Sequence, residues 1–210
     1  MQKKLSPIPS VYLHIPFCRT ICPFCSFTVR RDQAKMHEKY IKGMLVEIDR
    51  RAEMLKDKER QENEEKLSGH ILLKSIYIGG GTPSCLTIPE VSVLLTKVRE
   101  NLPWSDQIEI SFEMNPDDVN SEYLNGLADI GVNRLSLGGQ SFQSSTLHKL
   151  GRCHTVADLR NAISVIANSS FDNSPLRMRS DEIFVCSDII RAANCSAAIS
   201  KEKKPTTAPS

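Results

Sequence analysis

Four times along this chain a short apolar run is followed by a turn and then by a stretch of helical or polar sequence. The runs are SVYLHIP (10–16), LKSIYIGGGTP with its apolar part at 73–78, QIEISFEM (107–114) and NRLSLGG (133–139). Short apolar segments bounded by Pro, Gly or Asn predict strands. Apolar residues three to four positions apart predict the helices. Met36, Tyr40, Met44, Ile48, Ala52 and Leu55 trace one face over 33–66. Val91, Leu94, Leu95, Val98 and Leu102 do so over 88–102, and Leu159, Ala162, Ile163 and Ile166 over 156–167. The starts and stops are marked too. Thr87 and Glu90 form a capping box. Asn120 caps a helix with Val119 and Leu124 as its staple and Gly131 as its stop, and Thr155 with Asp158 begins the last helix. Strands that alternate with helices fold as parallel βα units with right-handed crossovers, so the expected class is α/β.

The rhythm calls for a fifth buried strand after Ala167, and the sequence does not supply an obvious one. NSSFDNSPLRMRSDE is polar and broken by Pro175, IFVC (183–186) is only a short apolar run, SDIIRAANCSAAI predicts a modest helix, and KEKKPTTAPS has the composition of a disordered end. The expected organisation is an N-terminal extension over 1–10, a βα core over 11–167 and a divergent, poorly ordered tail over 168–210.

At 210 residues, with 40% hydrophobic and 25% charged residues, the chain suits one globular domain. A net charge of +2 gives no reason to expect nucleic acid or an anionic membrane as partner. No apolar run reaches membrane-spanning length. The polar stretch KDKERQENEEK reads as a solvated helix end. Without a secretory or convincing transit segment the expected compartment is the cytoplasm, with the mitochondrion as alternative. The seven cysteines then read as reduced thiols or metal ligands.

Three of those cysteines lie within eight residues, in Cys18-Arg-Thr-Ile-Cys22-Pro-Phe-Cys25, just after the first strand. Thiolates favour iron–sulfur clusters, zinc or Cu(I). Three of them on a cubane leave one iron open, whereas zinc needs a fourth ligand such as His14 or Cys85. From the triplet alone a cluster, a zinc site and no metal all stay open. The glycine-rich or polar turns after strands two, three and four fall at the same sheet edge, where folds of this kind bind ligands.

The triplet with Phe24 resembles the radical S-adenosylmethionine (SAM) signature. YLHIPFC, GGGTP, E.NPD, GVNRLSLGGQSF and LGR.H are similar to one branch of that superfamily, the HemW haem chaperones and the oxygen-independent coproporphyrinogen dehydrogenases. The resemblance runs over about residues 11–167. It implies a partial (βα) radical-SAM barrel with parallel strands, here truncated after about four βα units. It also implies a 4Fe-4S cluster on Cys18, Cys22 and Cys25 whose open iron takes SAM, with electron transfer cleaving the sulfonium to methionine and a 5′-deoxyadenosyl radical. Tyr12 would line the site, Phe24 would meet the adenine, and Gly80, Gly81 and Thr82 would form the turn. Glu113 would accept from ribose or amine, Gln140 would follow strand four, and Arg152 would pair with the carboxylate. His14 would be a proton donor or an ordinary hydrogen-bonded strand histidine. Cys85, Cys153, Cys186 and Cys195 read as incidental thiols. The dehydrogenases carry a further cysteine where this chain has Phe27, which points to the haem-chaperone branch, with haem, haem-accepting proteins and an electron donor as partners. The alternatives are a coproporphyrinogen dehydrogenase-type enzyme and a cofactor-free or zinc-binding fragment.

Overall fold

The computed structural model describes residues 10–63, 72–169 and 184–185. In chain order the elements are β1 (Ser10–Ile15), β2 (Phe17–Cys18), β3 (Arg30–Arg31), α1 (Ala34–Asn63), β4 (Leu73–Gly80), α2 (Ile88–Asn101), β5 (Trp104–Met114), α3 (Ser121–Asp129), β6 (Arg134–Leu137), α4 (Ser144–Lys149), α5 (Val156–Ala167) and β7 (Phe184–Val185). Single 3₁₀ turns over Pro83–Cys85 and Pro116–Asp118 follow β4 and β5. The main sheet has the order β1-β4-β5-β6-β7, and every pairing in it is parallel.

The two faces of this sheet have different jobs because strand side chains alternate. Leu13, Ile78, Phe112 and Leu135 stand in one register row across four strands, each almost wholly buried. With Ile15, Ile76, Ile110 and Leu137 they form the apolar face that the helices cover. Ile41, Ile48 and Ala52 of α1 meet it, as do Leu94 and Val98 of α2, Leu124 and Leu127 of α3, and Leu159 and Ile166 of α5. The opposite face carries His14, Tyr77, Gly79, Ser111, Glu113 and Ser136, and that is the face on which the site is built. Leu94 is fully enclosed. Leu94→Ala should therefore cost about 2–5 kcal/mol in denaturant unfolding, while Val93→Ala, on an exposed neighbour, should cost far less.

The local start signals act as their chemistry requires. Glu90 reaches back to the Thr87 N–H at 2.7 Å, Asn120 accepts from the Tyr123 N–H at 2.8 Å, and Asp158 accepts from the Thr155 N–H at 2.8 Å. Gly131 (φ +93°) ends α3 in a Schellman turn, with Val132 N–H donating to Leu127 and Gly131 N–H to Ala128. The predicted helix over 156–167 has the observed ends, and α2 and α1 come within a few residues of theirs.

Several features differ from the sequence reading. The third strand begins at Trp104 because Leu73 pairs with it across a register shift. Leu55, which the periodicity puts on the buried stripe of α1, is exposed. The helix over Ser144–Lys149 has no counterpart among the predicted elements; it has six residues and buries only Leu147, too little for a period to register. The expected lack of a fifth strand is corrected as well. Phe184 and Val185, inside IFVC, pair with Ser136 and Leu137 and cover part of the β6 edge. Beyond Ser169, the rest of the tail and the two cysteines in it, Cys186 and Cys195, lie outside the described residues, as does most of the N-terminal extension.

Candidate cluster and nucleotide site

The cysteine loop leaves the sheet at Pro16 and is closed at its base. β2 pairs with β3, the Arg30 N–H donates to Pro16 at 2.7 Å and the Asp32 N–H to Cys18 at 2.8 Å. Within the loop the Cys25 N–H returns to the Cys22 carbonyl at 3.0 Å, so the last two cysteines sit on one tight turn. All three are free thiols; Cys18 is buried and the other two half-buried. Burial pushes the Cys18 thiol above the ordinary cysteine range. The Thr82 hydroxyl opposes that shift, the neighbouring Cys25 and Cys22 sulfurs reinforce it, and Arg152 opposes it weakly.

The glycine turn after β4 is where the chain comes closest to itself. A Cβ on Gly79 would lie 2.9 Å from the Glu113 carboxyl, and one on Gly80 (φ +122°) would lie 2.5 Å from the His14 ring. On Gly81 it would fall 2.7 Å from the Phe17 carbonyl oxygen and 2.9 Å from the Cys18 sulfur. Three small residues are thus what lets β4 lie against the cysteine loop and the end of β5. The N–H groups of Gly81 and Thr82 bind Ile15 and Phe17, both at 2.7 Å. Glu113 locks the turn from the other side: it accepts from the Gly80 N–H at 2.9 Å and from the Tyr77 hydroxyl at 2.6 Å.

Arg152 enters from beyond β6. Gly151 (φ +64°) closes α4 in a second Schellman turn, with Gly151 N–H on His148 and Arg152 N–H on Leu147, and the turn hands the next side chain into the site. Its guanidinium donates to the Cys22 sulfur at 3.2 Å, to Asn115 Oδ1 at 2.8 Å and to the Gly138 carbonyl at 3.0 Å. Its Nε is buried with no hydrogen-bond partner among the described residues. Asn115 Nδ2 in turn donates to Thr82 Oγ1 at 3.3 Å, and that hydroxyl donates to the Cys18 sulfur at 3.5 Å. Behind them the buried His154 donates from Nε2 to the Gly139 carbonyl at 3.1 Å, fixing the turn in which Gln140 takes the left-handed conformation (φ +59°). Burial holds the His154 imidazole below its ordinary range.

One cavity gathers most of the predicted site. Cys18, Cys22, Cys25 and Phe24 line it from the loop, Gly80, Gly81 and Thr82 from β4, and Glu113, Gln140 and Arg152 from beyond. Tyr12 does not line it. It projects from the start of β1, is more than half exposed, stacks on Tyr77 with centroids 6.1 Å apart, and borders the site through the Tyr77–Glu113 bond and through its own hydroxyl on His14 at 3.1 Å. Asn115 is a member of the site to which the sequence reading gives no role, although it is the asparagine of the E.NPD stretch.

Three free thiols in one loop are a soft donor set, of the kind that iron–sulfur clusters take. No three His, Cys, Asp or Glu side chains among the described residues come together as a single-ion site. A cubane takes its thiolates on separate irons around a larger body. Of the candidate fourth zinc ligands, His14 uses both ring nitrogens, on Tyr12 and Thr28, and Cys85 is buried against the Phe17 carbonyl with its thiol pushed up to about 11. The three thiols, the glycine cradle and the unmatched Arg152 Nε all fit a 4Fe-4S cluster with a charged ligand beside it.

Residues 12–184 match the radical SAM superfamily. The chain belongs to that superfamily. Within it, this radical SAM chain falls with the HemW/HemN-like group. It is 34% identical over 163 residues to the heme chaperone HemW of Haemophilus influenzae, covering 77% of this chain and 40% of that one. It is 35% identical over 168 residues to the Bacillus subtilis HemW, covering 80% and 41%. It is also 35% identical over 179 residues to the mitochondrial radical S-adenosyl methionine domain-containing protein 1 of Dictyostelium discoideum, covering 81% and 39%. The solved coproporphyrinogen III oxidase (HemN) of Escherichia coli, described as a radical SAM enzyme, superposes with a TM-score of 0.61 at 26% identity, over 74% of this chain and 33% of that one. The chain thus spans about two fifths of the curated relatives it matches. No helix among the described residues is long and apolar enough to cross a membrane.

Proposed function

We propose that this chain carries the cofactor-binding part of a HemW-like protein: it holds a 4Fe-4S cluster on Cys18, Cys22 and Cys25, binds SAM against the ends of β4, β5 and β6, and serves haem binding and transfer to haem-accepting proteins. The observation that carries the reading is the single cavity in which three thiols meet a glycine turn and an arginine already bonded to one of them. When bound, the cluster and SAM supply reductive cleavage of the sulfonium, driven by an external low-potential electron donor. The chain's own residues do the holding. Gly80 and Gly81 admit a ligand close to the backbone, Glu113 keeps their turn in place, and Arg152 Nε is the free donor for a carboxylate. Phe24 and Gln140 flank the nucleotide, and Tyr12 contributes by packing on Tyr77 and by its hydroxyl on His14. The compartment is the cytoplasm or the mitochondrion, the latter named for the Dictyostelium relative.

Anaerobic reconstitution with iron and sulfide should give a brown protein with about four irons per chain. The loaded form should bind SAM in calorimetry and shift the absorption of added haemin. A colourless, iron-free product would overturn the cluster, and a loaded protein indifferent to haemin would overturn the haem assignment. The likeness to HemN favours a second reading, a coproporphyrinogen dehydrogenase-type enzyme, against which stands Phe27 at the cavity mouth where those enzymes carry cysteine. Decarboxylated porphyrinogen from the loaded protein would decide for that reading.

A further inference from the structure

Two of the three cluster cysteines are joined by an unbroken run of hydrogen bonds: Cys22 to Arg152, Arg152 to Asn115, Asn115 to Thr82, Thr82 to Cys18. Its polarity is fixed. A guanidinium has donors only, so Arg152 must donate to both the sulfur and Asn115 Oδ1. With that oxygen occupied, Asn115 presents its NH₂ to Thr82. The Thr82 oxygen then accepts, and its one proton goes to Cys18. Both ends of the chain therefore deliver a proton toward sulfur, the arrangement that suits two thiolates.

Asn115 is the pivot, and the sequence sets it in place. Pro116 confines it to extended backbone, observed at φ −87° and ψ 152°, at the carboxyl end of β5. Its own N–H is tied to Ser84 at 3.5 Å.

Resting on the cluster reading above, we propose that Asn115 is a positioning residue for the cluster sulfurs: it holds Arg152 on Cys22 and Thr82 on Cys18, and these two directed donors set the reduction potential of the cluster. Hydrogen bonds to the sulfurs are among the levers that tune such centres. Reduction adds negative charge, which donors stabilise, so their loss makes the cluster harder to reduce.

The test is an EPR-monitored redox titration of the anaerobically loaded full chain without SAM, with iron content measured in parallel. Asn115→Ala should lower the equilibrium constant for reduction about tenfold, a shift of ~59 mV to more negative potential for a one-electron couple. Arg152→Gln should shift it at least as far, and Thr82→Val less but in the same direction. Wild-type midpoints in iron-replete Asn115→Ala and Arg152→Gln would overturn the proposal. Should Asn115→Ala fail to take up iron, Arg152→Gln and Thr82→Val decide: wild-type midpoints in both overturn it, negative shifts in both sustain it. A wild-type chain that takes up no iron sinks the cluster reading itself, and this is seen before any titration.

Discussion

Cys18→Ser should leave the protein folded but colourless after reconstitution, with well under one iron per chain where the unmutated protein should take up about four. Of the three thiols this one has the most constrained surroundings. Its backbone is paired on β2, the next strand edge holds Phe17 through Thr82, and its sulfur touches Gly81 and Thr82 in a buried position. Serine is nearly isosteric, so the pocket survives and the global stability should move by no more than about 1 kcal/mol. The ligand does not survive. An alcohol stays protonated and is a hard donor, where iron–sulfur chemistry needs a soft thiolate. Among the described residues the triplet has no spare thiol with which to compensate: Cys85 faces the Phe17 carbonyl, and Cys153 is exposed with its thiol on Thr20 Oγ1 at 3.2 Å. Iron analysis and the visible spectrum after reconstitution give the answer, with circular dichroism as the folding control. Full colour in Cys18→Ser would mean that the cluster is held some other way.

What is legible in the sequence and what is not follows from the range of the interactions. The core helices are legible because their signals are local: Leu159, Ala162 and Ile166 repeat on one face, and Thr155 with Asp158 marks the start. The cysteines and the glycine turn are legible because their spacing is itself the signal. The part Asn115 plays is not, because the E.NPD stretch that contains it does not tell what its side chain meets. Its role comes from Thr82 and Arg152, some thirty-odd residues away on either side, brought to it by the parallel register of β4, β5 and β6. The same holds for the pairing of β2 with β3, in which Arg30 and Arg31 are exposed and carry no strand pattern, and for Phe184–Val185, whose two residues pair only because β6 offers an edge. Tyr12 departs from expectation for the opposite reason. Its short sequence distance from Cys18 suggests proximity, and it shares the site face of the sheet, but it stands near the start of β1 whereas the cavity is built at the strand ends.

Two Gly→Ala substitutions should have effects of opposite sign, and the difference tests whether close approach of chain segments makes this site. Gly43 lies within α1, and a methyl group added there would meet nothing within 4 Å, so Gly43→Ala only removes backbone freedom from the unfolded chain. It should stabilise by about 0.5–1 kcal/mol. At Gly81 the backbone angle is not the obstacle, since it lies outside the left-handed region. The obstacle is contact: the new carbon would stand 2.7 Å from the Phe17 carbonyl oxygen, 3.0 Å from the Pro16 carbonyl carbon and 2.9 Å from the Cys18 sulfur. Two of those atoms are backbone and cannot swing aside. They belong to a segment held by the Ile15–Gly81 and Phe17–Thr82 hydrogen bonds, so relief requires breaking one of these or displacing the whole base of the cysteine loop. Overpacking of this kind costs about 1–3 kcal/mol. Because the displaced segment carries Cys18, iron uptake should fall with stability, whereas Leu94→Ala should lower stability and leave iron uptake per folded chain unchanged. A Gly81→Ala protein that loads iron fully and unfolds at the wild-type midpoint would show that β4 and the cysteine loop are not in the contact that organises this site.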